Sequence, residues 1–104
     1  MQIVNDARVD KEIRSLLEKE NSRIVHVLDL FTEHGFSLSA LFLKKLGANL
    51  WELRAGKWRL LFGKVQQEIF IVHIFRKSTQ KTPKMEIDKA QSRLEMYRNE
   101  KESV

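Results

Sequence analysis

An α+β fold, with an N-terminal helical hairpin packed on a small antiparallel β-sheet and a C-terminal helix after it, is predicted by two changes of hydrophobic period. Apolar residues recur at helical spacing up to about Gly35, and then "LWELR", "WRLLFG" and "EIFIVHIF" read as short strands rich in aromatic and branched residues. A Thr-Pro at 82–83 restores the helical period. The 104 residues contain no Pro-rich or Gly/Ser-rich break, so a single domain over 1–104 is expected, with the hairpin at about 7–35, the sheet at about 49–76 and the last helix at about 83–100.

After a short apolar start at Ile3 and Val4, the residues Val9, Ile13, Leu16 and Leu17 predict a first helix to about Lys19, capped by Asp6 or Asp10. Asn21 or Ser22 is the expected cap of a second helix, whose face is Ile24, Val27, Leu28 and Phe31 and whose end is Gly35. In the last helix Thr82 is the expected cap, Pro83 the first residue, and Ile87, Ala90, Leu94 and Tyr97 the apolar stripe; the tail "RNEKESV" is expected to fray.

Strand pairing predicts which side chains share a face. A loop at Ala55-Gly56 pairs Arg54 with Lys57, Leu53 with Trp58, Glu52 with Arg59 and Trp51 with Leu60. Trp51, Leu53, Trp58, Leu60 and Phe62 then form the core side, with Glu52, Arg54, Lys57 and Arg59 opposite. A second loop centred on Gln66-Gln67 pairs Phe62 with Ile71, Leu60 with His73, Trp58 with Phe75 and Lys57 with Arg76; a slip of one residue would bring in Lys77 instead of Arg76. The open face also carries Leu50, Leu61, Phe70, Val72 and Ile74, which the last helix or a partner must cover.

Composition narrows the function. There is no cysteine, which rules out disulfides and thiolate metal sites. The start of the chain lacks the apolar core of a secretory signal, and the longest apolar run, "IFIVHIF", falls far short of the ~20 residues a spanning helix needs; a cytoplasmic protein without membrane partners is expected. His26 and His34 have no accompanying ligand cluster, so no metal is expected, and His73 reads as a hydrogen-bonded core residue. Trp51 and Trp58 read as core anchors.

Charge is concentrated. Of the net +5, residues 36–84 carry +8, from ten Lys/Arg against Glu52 and Glu68, and the remainder carries −3. That asymmetry points to a polyanion, most simply nucleic acid. Arg54, Lys57, Arg59 and Arg76 (or Lys77 after the slip) on one face, with Lys77, Lys81 and Lys84 around the rim, suit phosphoryl transfer on RNA, in which the 2′-OH attacks the adjacent phosphodiester and cations stabilise the transition state without a metal or cofactor. A binding surface without catalysis would carry the same charges.

Residues 46–97, with "LWELR" and "FRKSTQKTP" at a characteristic separation, resemble the RelE/HigB superfamily of type II toxins, in its phage-derived HigB-like branch. The resemblance implies a RelE-like fold and a ribosome-dependent mRNA endonuclease that inhibits translation. It also implies a cognate antitoxin, often of helix-turn-helix type, through which alone operator DNA would be contacted. By the same resemblance Arg54, Arg59, Arg76 and Lys77 are the catalytic candidates and Lys81 binds RNA, and the placement of the basic residues adds Lys57 and Lys84 to the RNA-binding set. Ser78 departs from the pattern where many members carry a second Lys, and neither His73 nor Tyr97 aligns with the general base of some members. The alternative is a non-catalytic member that pairs with an antitoxin and adjusts its DNA binding.

Overall fold

The structure, a computed structural model describing residues 2–102, begins with a strand, β1 (Gln2–Asn5). Two helices follow, α1 (Ala7–Ser15) and α2 (Glu18–His34), then a 3-10 turn at Gly35–Ser37. Four strands complete the sheet, β2 (Leu43–Gly47), β3 (Leu50–Ala55), β4 (Trp58–Val65) and β5 (Glu68–Arg76), and α3 (Lys84–Glu102) ends the described chain. The strand order is β1-β5-β4-β3-β2, with β1 parallel to β5 and the other pairs antiparallel.

Three expected strands are therefore five, and the sheet is mixed. Both additions are edge strands with weak local signals. β1 has only Ile3 and Val4 as apolar residues and pairs with a strand far along the sequence. β2 carries Lys44 and Lys45 exposed and is broken by a bulge between Lys45 and Gly47, the features that keep an edge from pairing further.

The helices also depart in detail. Asp6 caps α1 by accepting from the Arg8 amide (2.8 Å), as one of the two expected caps. But α1 stops at Ser15 rather than near Lys19, because Leu16 is extended. Asn21 does not cap α2; its amide donates to Ile13 O (2.8 Å) and satisfies a carbonyl at the end of α1, while Leu17 precedes α2 without a side-chain cap. Gly35 ends α2 at φ 58°, as glycine readily does. Thr82, the expected cap of α3, lies two residues before that helix begins at Lys84, and its hydroxyl donates to Glu52. Pro83 lies just before the helix, and its carbonyl accepts from Glu86 (3.0 Å) and Ile87 (3.2 Å). The supposed tail is helical through Glu102, tied to the sheet by Lys101 and Glu68 (2.7 Å); Ser103 and Val104 lie outside the described residues.

Two cores sandwich the sheet. On one face α1 and α2 bring Val9, Ile13, Ile24, Val27 and Phe31 onto Leu53, Leu60, Phe62, Ile69 and Ile71, with Trp51 and Trp58 packed at the margin. On the other α3 brings Ala90 and Leu94 onto Leu50, Leu61, Phe70, Val72 and Phe75. Gly63 makes this second packing possible, since a Cβ there would come within 2.6 Å of both Asn49 O and Leu94 Cδ1. α3 covers this face only partway, and the β3–β4 hairpin end is left open on that side.

Candidate nucleic-acid interface

Register delivers the basic residues. The β3–β4 turn is Gly56-Lys57 rather than Ala55-Gly56, so Arg54 pairs with Arg59, Leu53 with Leu60, Glu52 with Leu61 and Trp51 with Phe62. The offset from the expected pairing is two residues, which leaves every side chain on its expected face. Turn geometry explains the position, because Gly56 has φ 64°, a left-handed conformation that glycine adopts without steric cost.

β5 behaves differently. Val65 pairs with Glu68 across the expected Gln66-Gln67 turn, and Phe62 pairs with Ile71 as predicted, but Leu61 pairs with His73. Val72 is thus the extra residue of a β-bulge, and beyond it alternation moves by one. Leu60 now opposes Ile74 and Trp58 opposes Arg76. Ile74 joins the α1/α2 core instead of the open face, and Arg76 turns to that side as well. Lys77 takes the place expected of Arg76, its amide donating to Lys57 O (2.8 Å).

Arg54, Gly56, Lys57, Arg59 and Lys77, with the loop residues Ser78, Thr79 and Gln80, line an open hollow of about 470 Å³. Beneath them lies Glu52, fully buried. Its Oε1 is 3.3 Å from Arg54 Nε and 3.7 Å from Arg59 Nε, and its Oε2 accepts from the Thr82 hydroxyl. Arg59 Nη1 donates to Gly56 O (2.7 Å) and Trp58 O (2.9 Å). One carboxylate and two carbonyls thus fix two guanidiniums that would otherwise repel one another, and buried Nε of Arg59 is left without a hydrogen bond. Four cations against one acid leave the hollow strongly positive.

Burial lowers the pKa of Arg59, opposed by Glu52 and reinforced by Arg54; a guanidinium stays protonated regardless. Burial also pulls the Lys77 ammonium below its usual range, with Glu52 pushing back and Arg59, Arg54 and Lys44 adding to the depression. Lys77 is accordingly a readier proton donor than a solvated lysine.

Lys81 and Lys84 lie outside the hollow's lining, and Lys84 is paired with Asp88 (3.8 Å). His73 is buried on the α3 side, 2.9 Å from Glu86 Oε1 and 3.3 Å from Arg93 Nη1. The Tyr97 hydroxyl donates to Asp6 (2.7 Å). Neither lines the hollow. Thr82 as a partner of Glu52 escaped sequence reasoning, although its place in the "KTP" run was a signal that the residue does more than cap. Among the described residues no cluster of His, Asp and Glu is arranged to hold a metal, and no helix is long and apolar enough to cross a membrane.

Residues 11–95 match the family described as Phage derived protein Gp49-like (DUF891). The chain belongs to this family. The Gp49-like chain has no match among curated proteins. Its fold is shared with a chain of the archaeal RelE–RelB complex from Pyrococcus horikoshii OT3, at 20% identity and TM-score 0.62, covering 74% of this chain and 94% of that one. A chain of the RelB–RelE antitoxin–toxin complex from Methanococcus jannaschii superposes at 16% identity and TM-score 0.56, covering 77% of this chain and 99% of that one. The fold of the Gp49-like chain is therefore RelE-like.

Proposed function

We propose that this protein is the toxin of a type II toxin–antitoxin pair, of the HigB-like branch, and that it cleaves mRNA at the ribosome. What supports the reading most directly is the pairing of Arg54 with Arg59 across β3 and β4, over one buried carboxylate and beside Lys77. Support also comes from the family match and from the fold shared with chains of toxin–antitoxin complexes.

In the proposed reaction a phosphodiester enters the hollow, the 2′-oxygen attacks the adjacent phosphorus, and the P–O5′ bond breaks. The products are a 2′,3′-cyclic phosphate and a 5′-hydroxyl. Arg54 and Arg59 take the charge that accumulates on the non-bridging oxygens, and their fixed positions spare reorganisation as that charge grows. Lys77 protonates the departing 5′-oxygen, and the 2′-hydroxyl proton passes to water. Glu52 orients the guanidiniums. Arg76, on the other face, does not touch this phosphate. The cognate antitoxin, of helix-turn-helix type, neutralises the protein in the cytoplasm and mediates any operator contact.

A second reading, binding without cleavage, has one observation in its favour: no histidine or tyrosine lines the hollow. Expression without a partner separates the two. Growth arrest with cleavage of translated mRNA, both abolished in Arg59→Ala and reduced in Lys77→Ala, is expected. Unimpeded growth, or arrest that persists undiminished in an Arg59→Ala/Lys77→Ala variant, would overturn the endonuclease.

A further inference from the structure

The bulge that removes Arg76 from the first hollow places it in a second. On the α2 side of the same hairpin end, Lys19, Arg23, Lys57 and Arg76 line a hollow of about 250 Å³ around Trp58 and Glu20. Glu20, its one carboxylate, accepts from Trp58 Nε1, and none of the four cations is ion-paired among the described residues. Lys19 lies in the first turn of α2, where the helix dipole opposes positive charge, so the fold itself does not favour a cation there. Lys57 lines both hollows.

Gly56 joins the two. A Cβ on it would meet Arg23 Nη1 at 2.5 Å and Cδ at 2.8 Å, so the Arg23 side chain lies directly on the turn, while the Gly56 carbonyl accepts from Arg59 on the other side. Only the hairpin tip, without a side chain at its first position, separates a guanidinium of one hollow from a guanidinium of the other.

We infer that single-stranded RNA runs over the β3–β4 turn, with one phosphate held by Arg54, Arg59 and Lys77 and the flanking phosphates held by Lys57 at the crest and by Lys19, Arg23 and Arg76 beyond it. This rests on the RNA reading of the first hollow and extends it to a length of substrate. Continuity through Lys57 favours RNA over an acidic protein segment, because a chain with a charge at every nucleotide matches cations spaced around a tip.

The test uses 2′-O-methyl RNA of mixed sequence, 4 and 12 nucleotides long, which binds but cannot be cleaved, with affinity followed by fluorescence anisotropy across a salt series. The 12-mer should bind the unmodified chain more tightly than the 4-mer and with a steeper salt dependence. In Lys19→Gln/Arg76→Gln that advantage should shrink, the log–log salt slope for the 12-mer flattening by about 1.4, roughly 0.7 per lost phosphate contact on a single strand. Affinity for the 4-mer should hold. Lys11→Gln/Lys89→Gln, which removes equal charge elsewhere, should leave both slopes unchanged.

Three results would overturn the inference: no binding of the 12-mer by the unmodified chain, an unaltered slope in Lys19→Gln/Arg76→Gln, or equal flattening in the control. Loss of affinity for the antitoxin alone, with RNA binding intact, would likewise assign the second hollow to a protein and sink the RNA path. Growth arrest and mRNA cleavage are read separately, so failure of the path leaves the endonuclease standing, and the reverse.

Discussion

Arg54 and Arg59, directly opposite each other across β3 and β4, share one oxygen of Glu52, at 3.3 Å and 3.7 Å from their Nε atoms. Two like charges in register repel unless an anion lies between them. Glu52→Gln keeps the shape and removes the charge, leaving both guanidiniums and the Thr82 hydroxyl with a weaker partner. A loss of about 2 kcal/mol is expected, at the scale of hydrogen bonds to a charged group. It should appear as a lower urea midpoint with an unchanged slope. RNA binding at the hollow should weaken too despite the added net positive charge, because the guanidiniums lose their aim.

Gly56 is confined from both sides, by φ 64° and by Arg23. Gly56→Ala should cost about 1–2 kcal/mol, the penalty for an L-residue in the left-handed region. The clash with Arg23 adds little, since the far end of a long side chain can move. Adding Gly56→Ala to an Arg23→Ala background should therefore cost nearly as much, as read from chemical denaturation; a background that erased the cost would place the strain in the contact instead of the backbone.

His73 loses proton affinity on folding because burial disfavours its charged form, and Glu86 only partly offsets this. Arginine can only donate, so Arg93 at Nδ1 selects the neutral tautomer with its proton on Nε2, directed at Glu86. A folded pKa below 6.5 means that the unfolded chain takes up the proton first as pH falls. Stability should hold above about 6.5 and decline below it, and the decline between there and pH 5 should shrink in His73→Gln.

Tyr97, the chain's one tyrosine, is pushed up to about 12 by burial and by its bond to Asp6. Phenolate absorbance should accordingly show no titration through pH 10–11 in the folded protein. Here the folded state retains the proton that the unfolded state releases, so stability present below pH 10 should fall as pH rises toward 12. Tyr97→Phe should remove that fall and cost about 1 kcal/mol at neutral pH.

Asp6 titrates with the opposite sign. Hydrogen bonds from the Arg8 side chain hold the carboxyl well below its usual 3.8 against the opposing effect of burial, and bonds from Tyr97 and the Arg8 amide lower it further. Stability from this group is complete above pH 3.8 and drains away below it, so Asp6→Asn should flatten the acid limb of a pH–stability curve while lowering the plateau.

Much of this architecture was legible in the sequence, and what was not has identifiable causes. The faces of β3 and β4 came out right although the pairing was off by two residues, because alternation survives an even error. β5 did not, since "IFIVHIF" is apolar on both sides and gives no sign of where alternation breaks; only the contact of His73 with Glu86 on α3 marks the turnover, and that is tertiary. β1 and β2 are edges whose pairing partners, not their own residues, make them strands. The basic patch was legible as a concentration of charge, but its division between two hollows depends on the bulge at Val72.

The adjacency of Arg76 and Lys77 at the end of β5 has an evolutionary corollary. Side chains there alternate sides, so insertion of one residue upstream would bring Arg76 to the place of Lys77, and loss of one would bring Lys77 to the place of Arg76, leaving a cation in one of the two places in either case. A doublet of like charge at a strand terminus makes the electrostatics of this end tolerant of frame errors that would ruin an enzyme relying on one cation.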